Sequence, residues 1–195
     1  MSQADTAREA WPIALVALGS NLPIGSSSPA DTVAAAMSRL AIAGDRLVAT
    51  SRLWHTPCFP PGSGPDYVNA AAVVETRLDP AAMLAHLHAL EADFGRARTQ
   101  RWGSRTLDLD LIAHGEAVLP DAATQAHWRA LPPEAQIGWT PDQLVLPHPR
   151  LQDRGFVLVP LAEVAPDWVH PLTGLSVARM LAARPAAERA AILPL

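Results

Sequence analysis

The sequence predicts one α+β domain with helices packed on an antiparallel sheet, and three observations lead to that class. Apolar runs of strand length alternate with segments of helical period, in the order strand, helix, strand, strand, helix, strand. Of the 195 residues, 49% are apolar and 17% charged, enough for one buried core with little room for a second catalytic domain. No internal repeat interrupts the order.

The first strand reads as Ile13 to Ala17 and stops at the turn signal Gly19-Ser20-Asn21. Its apolar stretch, Trp11 to Leu18, is far shorter than the roughly 20 residues of a membrane span, and no signal peptide precedes it. Ala30 to Ala41 follows a serine run, with Pro29 near the first helical position and Val33, Met37 and Leu40 at helical spacing. Strands are expected around Leu47 to Leu53 and over Tyr67 to Glu75. Between them, His55 to Asp66 holds four prolines and two glycines, a composition for neither a helix nor a central strand. A loop of that length usually has a task. Asp79-Pro80 caps a second helix running to about Phe94, with Met83, Leu84, Leu87 and Leu90 turned inward. Leu107 to Ala113 is the last strand of the series. This order is that of a ferredoxin-like sandwich, whose helices cover one face of the sheet. Residues 119–142, without a clear period, are expected to be an insertion, and short extra tails at both ends complete a single domain over 1–195.

Composition excludes several functions. A formal charge of −4 gives no general attraction to nucleic acid or an anionic membrane, so any anion site has to be local. Cys58 is the only cysteine, which leaves no intrachain disulfide or multi-thiolate zinc site and fits the reducing cytoplasm. The chain has no lysine. Phosphate loops and kinase schemes built on a lysine are therefore excluded, and ATP chemistry would fall to arginines, backbone amides and metal ions.

Asp108 and Asp110 stand two apart on a strand, so both project from one face, roughly 6 to 7 Å apart along the backbone. Two carboxylates so close are costly to keep ionised unless a cation lies between them or water reaches both, and a magnesium ion with phosphate oxygens suits the geometry. Taken alone, such a pair is more often a solvated or salt-bridged feature of an edge strand. It is not alone: Arg96, Arg98, Arg101 and Arg105 fall in the ten residues before the strand, a guanidinium clamp for phosphate. An arginine- and tryptophan-bearing RNA loop is the competing reading, and the acidic pair does nothing for it. Pro147-His148-Pro149-Arg150, followed by Arg154, adds an extended loop with candidate phosphate ligands in His148 and Arg154. Tyr67, the only tyrosine, and Asn69 share a strand face and offer a ring and an amide to a flat heteroaromatic.

Together these elements resemble the 6-hydroxymethyl-7,8-dihydropterin pyrophosphokinase family, from about Ile13 to Leu181 apart from the insertion. The family's Gly-Ser-Asn is Gly19-Ser20-Asn21; its Thr-Pro and Tyr-x-Asn-Ala are Thr56-Pro57 and Tyr67 to Ala70. Its Glu, Gly-Arg-x-Arg, Arg-x-Gly-x-Arg and Asp-x-Asp are Glu91, Gly95 to Arg98, Arg101 to Arg105 and Asp108 to Asp110. Pro-His-Pro-Arg and Arg-x-Phe-Val-Leu are Pro147 to Arg150 and Arg154 to Leu158.

The resemblance implies transfer of diphosphate from ATP, as co-substrate, to the pterin hydroxymethyl group, with release of AMP, in folate biosynthesis. It implies two magnesium ions on Asp108 and Asp110, with Arg96 and Arg105 at the reacting phosphates. Glu91, Arg98, Arg101, His148 and Arg154 would bind ATP. Tyr67 and Phe156 would sandwich the pterin, and Thr56, Pro57 and Asn69 would lie at its edge. The loops His55 to Asp66 and Gly95 to Ser104 become covers that close over both substrates and exclude water. A cytoplasmic monomer is the expected state. A non-catalytic ATP- or pterin-binding paralogue and a metal-dependent phosphohydrolase are the alternative readings.

Overall fold

A computed structural model describes residues 11–42, 44–58, 62, 64–95, 105–132, 135 and 141–195. Its strands are β1 (Ile13–Ser20), β2 (Arg46–Thr50), β3 (Trp54–Thr56), β4 (Tyr67–Glu75), β5 (Asp108–His114) and β6 (Leu193–Pro194). The helices are α1 (Pro29–Met37), α2 (Pro80–Asp93), α3 (Ala122–Ala130), α4 (Gly155–Val164), α5 (Val177–Ala182) and α6 (Ala186–Ala190). All strand pairs are antiparallel: β1 lies between β4 and β5, β2 and β3 share the far side of β4, and β6 extends the sheet beyond β3.

Both faces of this sheet are buried, which is why β1 and β4 read as continuous apolar runs rather than alternating ones. On one face, Ala14, Val16, Leu18, Ala72 and Val74 meet Val33 and Met37 of α1 and Met83, Leu87 and Leu90 of α2. The other carries Leu15, Ala17, Ala71 and Val73 against Val157, Leu158 and Leu161 of α4 and Met180 of α5. The expected helices account for the first face only. The second is covered by the C-terminal quarter of the chain, where Pro160 inside α4 obscures the helical pattern.

Local differences from the sequence expectation have identifiable causes. The second strand is not continuous over Leu47 to Leu53 but breaks at Ser51. There the Ser51 hydroxyl oxygen accepts from Ala71 N at 2.9 Å while Ser51 N donates to Ala71 O at 2.9 Å, so one residue patches β4 between β2 and β3. His55 and Thr56, expected in the long loop, belong to β3, because the prolines begin only at Pro57. Helix α1 ends at Met37 and turns through Ser38, short of Ala41. Within the expected insertion the structure shows a helix, α3, capped by Asp121 and burying only Gln125. Leu119 and Leu146 close its base with paired backbone bonds. Among the described residues no helix is long and apolar enough to cross a membrane.

Candidate active site

The site lies where the cover of the α4 face ends. Across the sheet, Asp108 opposes Gly19, Gly19 opposes Asn69, and Asn69 opposes Trp54; Asp110 opposes Ala17, and Tyr67 opposes Thr56. Directly opposed residues share a face, so the carboxylates, Asn69, Tyr67 and Thr56 converge on one side, at the ends of four strands. Asn69 Nδ2 donates to Thr56 Oγ1 at 2.9 Å, which fixes both side chains while they are nearly buried. Gly19 is what admits that amide: a Cβ there would stand 2.8 Å from Asn69 Oδ1.

Each carboxylate holds a guanidinium group. Arg105 Nη1 lies 2.5 Å from Asp108 Oδ1, and Arg154 Nη1 donates to Asp110 Oδ2 at 3.1 Å. Burial opposes the charge on Arg105, yet Asp108 and then Asp110 more than restore it and leave its pKa above the ordinary value. Burial likewise lifts the Tyr67 hydroxyl above its usual value, with Arg105 pulling it down and Asp108 pushing it up. Tyr67 and both members of that ion pair thus lie within electrostatic reach of one another.

His148 is held to the same strand: its N–H donates to Ile112 O at 2.8 Å, at the bulge where β5 slips register against β1. Close packing, then Arg154 and Arg150, push its pKa down to about 3, so the ring is neutral. Nδ1 accepts from Arg150 N at 3.1 Å, which puts the proton on Nε2 and makes that atom a donor.

Glu91 sits on α2, 1% exposed, and its Oε1 accepts from Leu109 N at 2.8 Å. It holds the amide between the two aspartates on a strand whose outer edge no other strand covers among the described residues. Phe156 is 38% exposed at the start of α4, with the Arg154 guanidinium 5.7 Å from its ring centre. Pro57 is exposed just beyond Thr56. Arg96, Arg98 and Arg101 fall outside the described residues, as does the loop Gly95 to Ser104 apart from Gly95 and, of the other loop, residues 59–61 and 63.

Gly19 and Ser20, expected at a turn, are the last two residues of β1, and Asn21 follows them directly. Asn21, 3% exposed, accepts from Arg105 N on its side-chain oxygen at 2.7 Å and donates its amide to Pro65 O at 3.2 Å. Its own backbone N–H donates to Arg105 O at 3.1 Å, and Ser20 Oγ donates to Thr106 O at 2.6 Å. One buried asparagine therefore joins the ends of both expected covering loops. Asp66 closes the neck of the first, accepting from Cys58 N at 2.9 Å with His55 Nε2 3.1 Å away. Asn21 and Asn69 are the chain's two asparagines, and the sequence points to a binding role for Asn69 alone.

Asp108 and Asp110 offer hard oxygen donors with side chains 25% and 32% exposed, and no group of three or more His, Cys, Asp or Glu residues surrounds them among the described residues. That donor set fits magnesium, which takes one or two carboxylates and completes its shell with phosphate and water. It does not build a calcium cage or a zinc tetrahedron.

Paired carboxylates, guanidinium groups on each, and an amide, hydroxyl and ring beside them on an antiparallel sheet define an enzyme of the phosphoryl-transfer class. Residues 15–166 match the family described as 7,8-dihydro-6-hydroxymethylpterin-pyrophosphokinase (HPPK), and the chain belongs to that family. Among its relatives is the 2-amino-4-hydroxy-6-hydroxymethyldihydropteridine pyrophosphokinase of Pseudomonas aeruginosa, 38% identical over 171 residues, 87% of this chain and 90% of that one. The Synechocystis protein of the same name is 37% identical over 170 residues, covering 86% of this chain and 74% of its own. In fold, the chain is similar to a Plasmodium falciparum HPPK-DHPS crystal structure, with a TM-score of 0.59 at 14% identity. That alignment covers 91% of this chain and 45% of the Plasmodium one.

Proposed function

We propose that this chain moves diphosphate from ATP to the hydroxymethyl oxygen of 6-hydroxymethyl-7,8-dihydropterin and releases AMP, as a cytoplasmic monomer. The observation that carries this reading is the common sheet face of Asp108 and Asp110, each on an arginine, and the Thr56–Asn69 pair beside Tyr67. Asp108 and Asp110 would hold magnesium, two ions by expectation, which neutralises phosphate charge when bound. Arg105 and Arg154, relieved of their carboxylates, turn their guanidinium groups to phosphate oxygens, joined by Arg96, Arg98 and Arg101. His148 donates Nε2–H to the nucleotide, while Glu91, expected among the ATP ligands, is buried and acts instead through the Leu109 amide it holds between the two aspartates. Tyr67 and Phe156 stack on the pterin, while Asn69, Thr56 and Pro57 meet its edge.

The hydroxymethyl oxygen bonds to the β-phosphorus as the bridge to the α-phosphate breaks. Positioning and charge neutralisation do the catalytic work, since the protein forms no covalent bond. The test is nucleotide analysis by chromatography after incubation with ATP and magnesium, with and without the pterin. Pterin-dependent AMP and a diphosphorylated pterin are expected; ADP or phosphate would point to a phosphohydrolase, and ATP binding without turnover to a non-catalytic paralogue.

A further inference from the structure

Helix α4 starts in an unusual way. Its N-cap is Arg154, which makes no side-chain cap and sets a positive charge at the positive end of the helix dipole. The missing cap comes from thirty-three positions away in sequence: Gly155 N donates to Glu188 Oε1 at 2.9 Å. Glu188 is itself gripped by Arg184, whose Nε and Nη2 donate to Oε2 at 3.0 and 2.7 Å. The carboxylate approaches so closely that a Cβ on Gly155 would stand 2.5 Å from Oε1. Helix α6, which carries Glu188, buries none of its residues, so the segment is seated by this contact, by the buried Ile192 and by the strand after it. That strand, β6, pairs Leu193 with His55 and Pro194 with Trp54, and Leu195 N donates to Leu53 O at 2.9 Å.

The segment from Arg184 to Leu195 thus ties the first turn of α4, bearing Arg154 and Phe156, to β3, bearing Thr56. It lies beyond the residues matched to the family. We infer that Glu188 is a positioning residue: it holds the start of α4 so that Arg154 and Phe156 stay in register with Asp110 and the pterin edge. The inference rests on the roles proposed for Arg154 and Phe156.

Steady-state KM for both substrates, kcat and the melting temperature would be measured for Glu188→Ala, Glu188→Gln, Gly155→Ala, Arg154→Ala and Phe156→Ala. Ser176→Ala serves as control, since it removes a comparable cap from α5, which carries no site residue. Loss of one cap changes the population of a first turn by about five- to tenfold, and Glu188→Ala is expected to raise both KM values by that factor with a smaller change in kcat. Glu188→Gln keeps an acceptor for Gly155 N and is expected to restore the KM values. Gly155→Ala tests the same contact from the other side: its Cβ displaces Glu188 while alanine's preference for the helix offsets much of the lost cap, so KM rises by more than the change in melting temperature accounts for. Unchanged KM values in Glu188→Ala and Gly155→Ala, with Arg154→Ala and Phe156→Ala impaired, would overturn the inference alone. Wild-type KM values in those last two variants would remove the site assignment, and the inference with it. A Ser176→Ala variant that raised KM as much as Glu188→Ala would reduce Glu188 to a stability role.

Discussion

Gly19→Ala should damage pterin binding while leaving ATP binding nearly untouched. The new Cβ would stand 2.8 Å from Asn69 Oδ1, and among the described residues, its chain neighbours aside, the atoms within 4 Å of it belong to Asn69. Asn69 has little room to yield, being 5% exposed and bonded to Thr56 at 2.9 Å. Overpacking of this kind costs about 1–3 kcal/mol, and loss of the Asn69–Thr56 bond adds about 0.5–1.5. Replacing glycine inside a strand returns only about 0.5–1 kcal/mol through the unfolded chain, so the clash wins. The net is about 0.5–4 kcal/mol of strain on Asn69, and each 1.4 kcal/mol of it expressed at the pterin edge is about tenfold in affinity. Separate KM determinations for pterin and ATP would show it, with direct pterin titration as a second readout. A variant with wild-type pterin KM would refute the reasoning, whatever its melting temperature.

Asp110→Ala should fold normally, because the partly exposed pair it forms with Arg154 is worth only about 0–1 kcal/mol, and should lose at least about a thousandfold in turnover as a carboxylate ligand disappears. Circular dichroism with an AMP assay checks both halves, and an active, folded variant would sink the metal assignment. His170 is fully buried, and burial followed by Arg129 pushes its pKa down to about 4 from the ordinary 6.5. A depressed histidine stabilises the fold fully above pH 6.5 and loses that contribution as pH falls toward 4, by about 2 kcal/mol at pH 5. Urea midpoints from pH 7 to 5 should drop less steeply in His170→Leu than in the wild type; parallel slopes would contradict the burial argument.

What the sequence revealed was the local part of the design. Strand β4 is legible as an unbroken apolar run and helix α2 by the spacing of its apolar residues, and Asp79-Pro80 marks where α2 starts. Asp108, Asp110, Tyr67 and Asn69 are legible for the same reason, since spacing two on a strand fixes a shared face. Contacts between distant residues left no periodic trace. Nothing near Ser51 signals that its hydroxyl will stand in for a strand partner of Ala71, and nothing near Glu91 signals Leu109 N. Arg154 could be proposed as a phosphate ligand, but its hold on Asp110, forty-four positions away, and its borrowed cap on Glu188 needed the fold.

The ion pairs on the two aspartates could be taken as the whole purpose of the acidic pair, and energetics argues otherwise. Pairs that are a quarter to a third exposed add about 0–1 kcal/mol each, whereas the choices that bring them together are individually unfavourable. A glycine inside β1 forgoes about 0.5–1 kcal/mol. Arg154 occupies an N-cap that serine or aspartate would fill better, and Phe156 is left 38% exposed in the first turn. Asp108 and Asp110 put two like charges on one strand face. Elsewhere the chain follows local rules closely, with a capping box on α1 and an aspartate cap on α2. Local rules broken together on one patch of sheet, beside an otherwise consistent fold, are the mark of residues kept for what they bind rather than for what they stabilise.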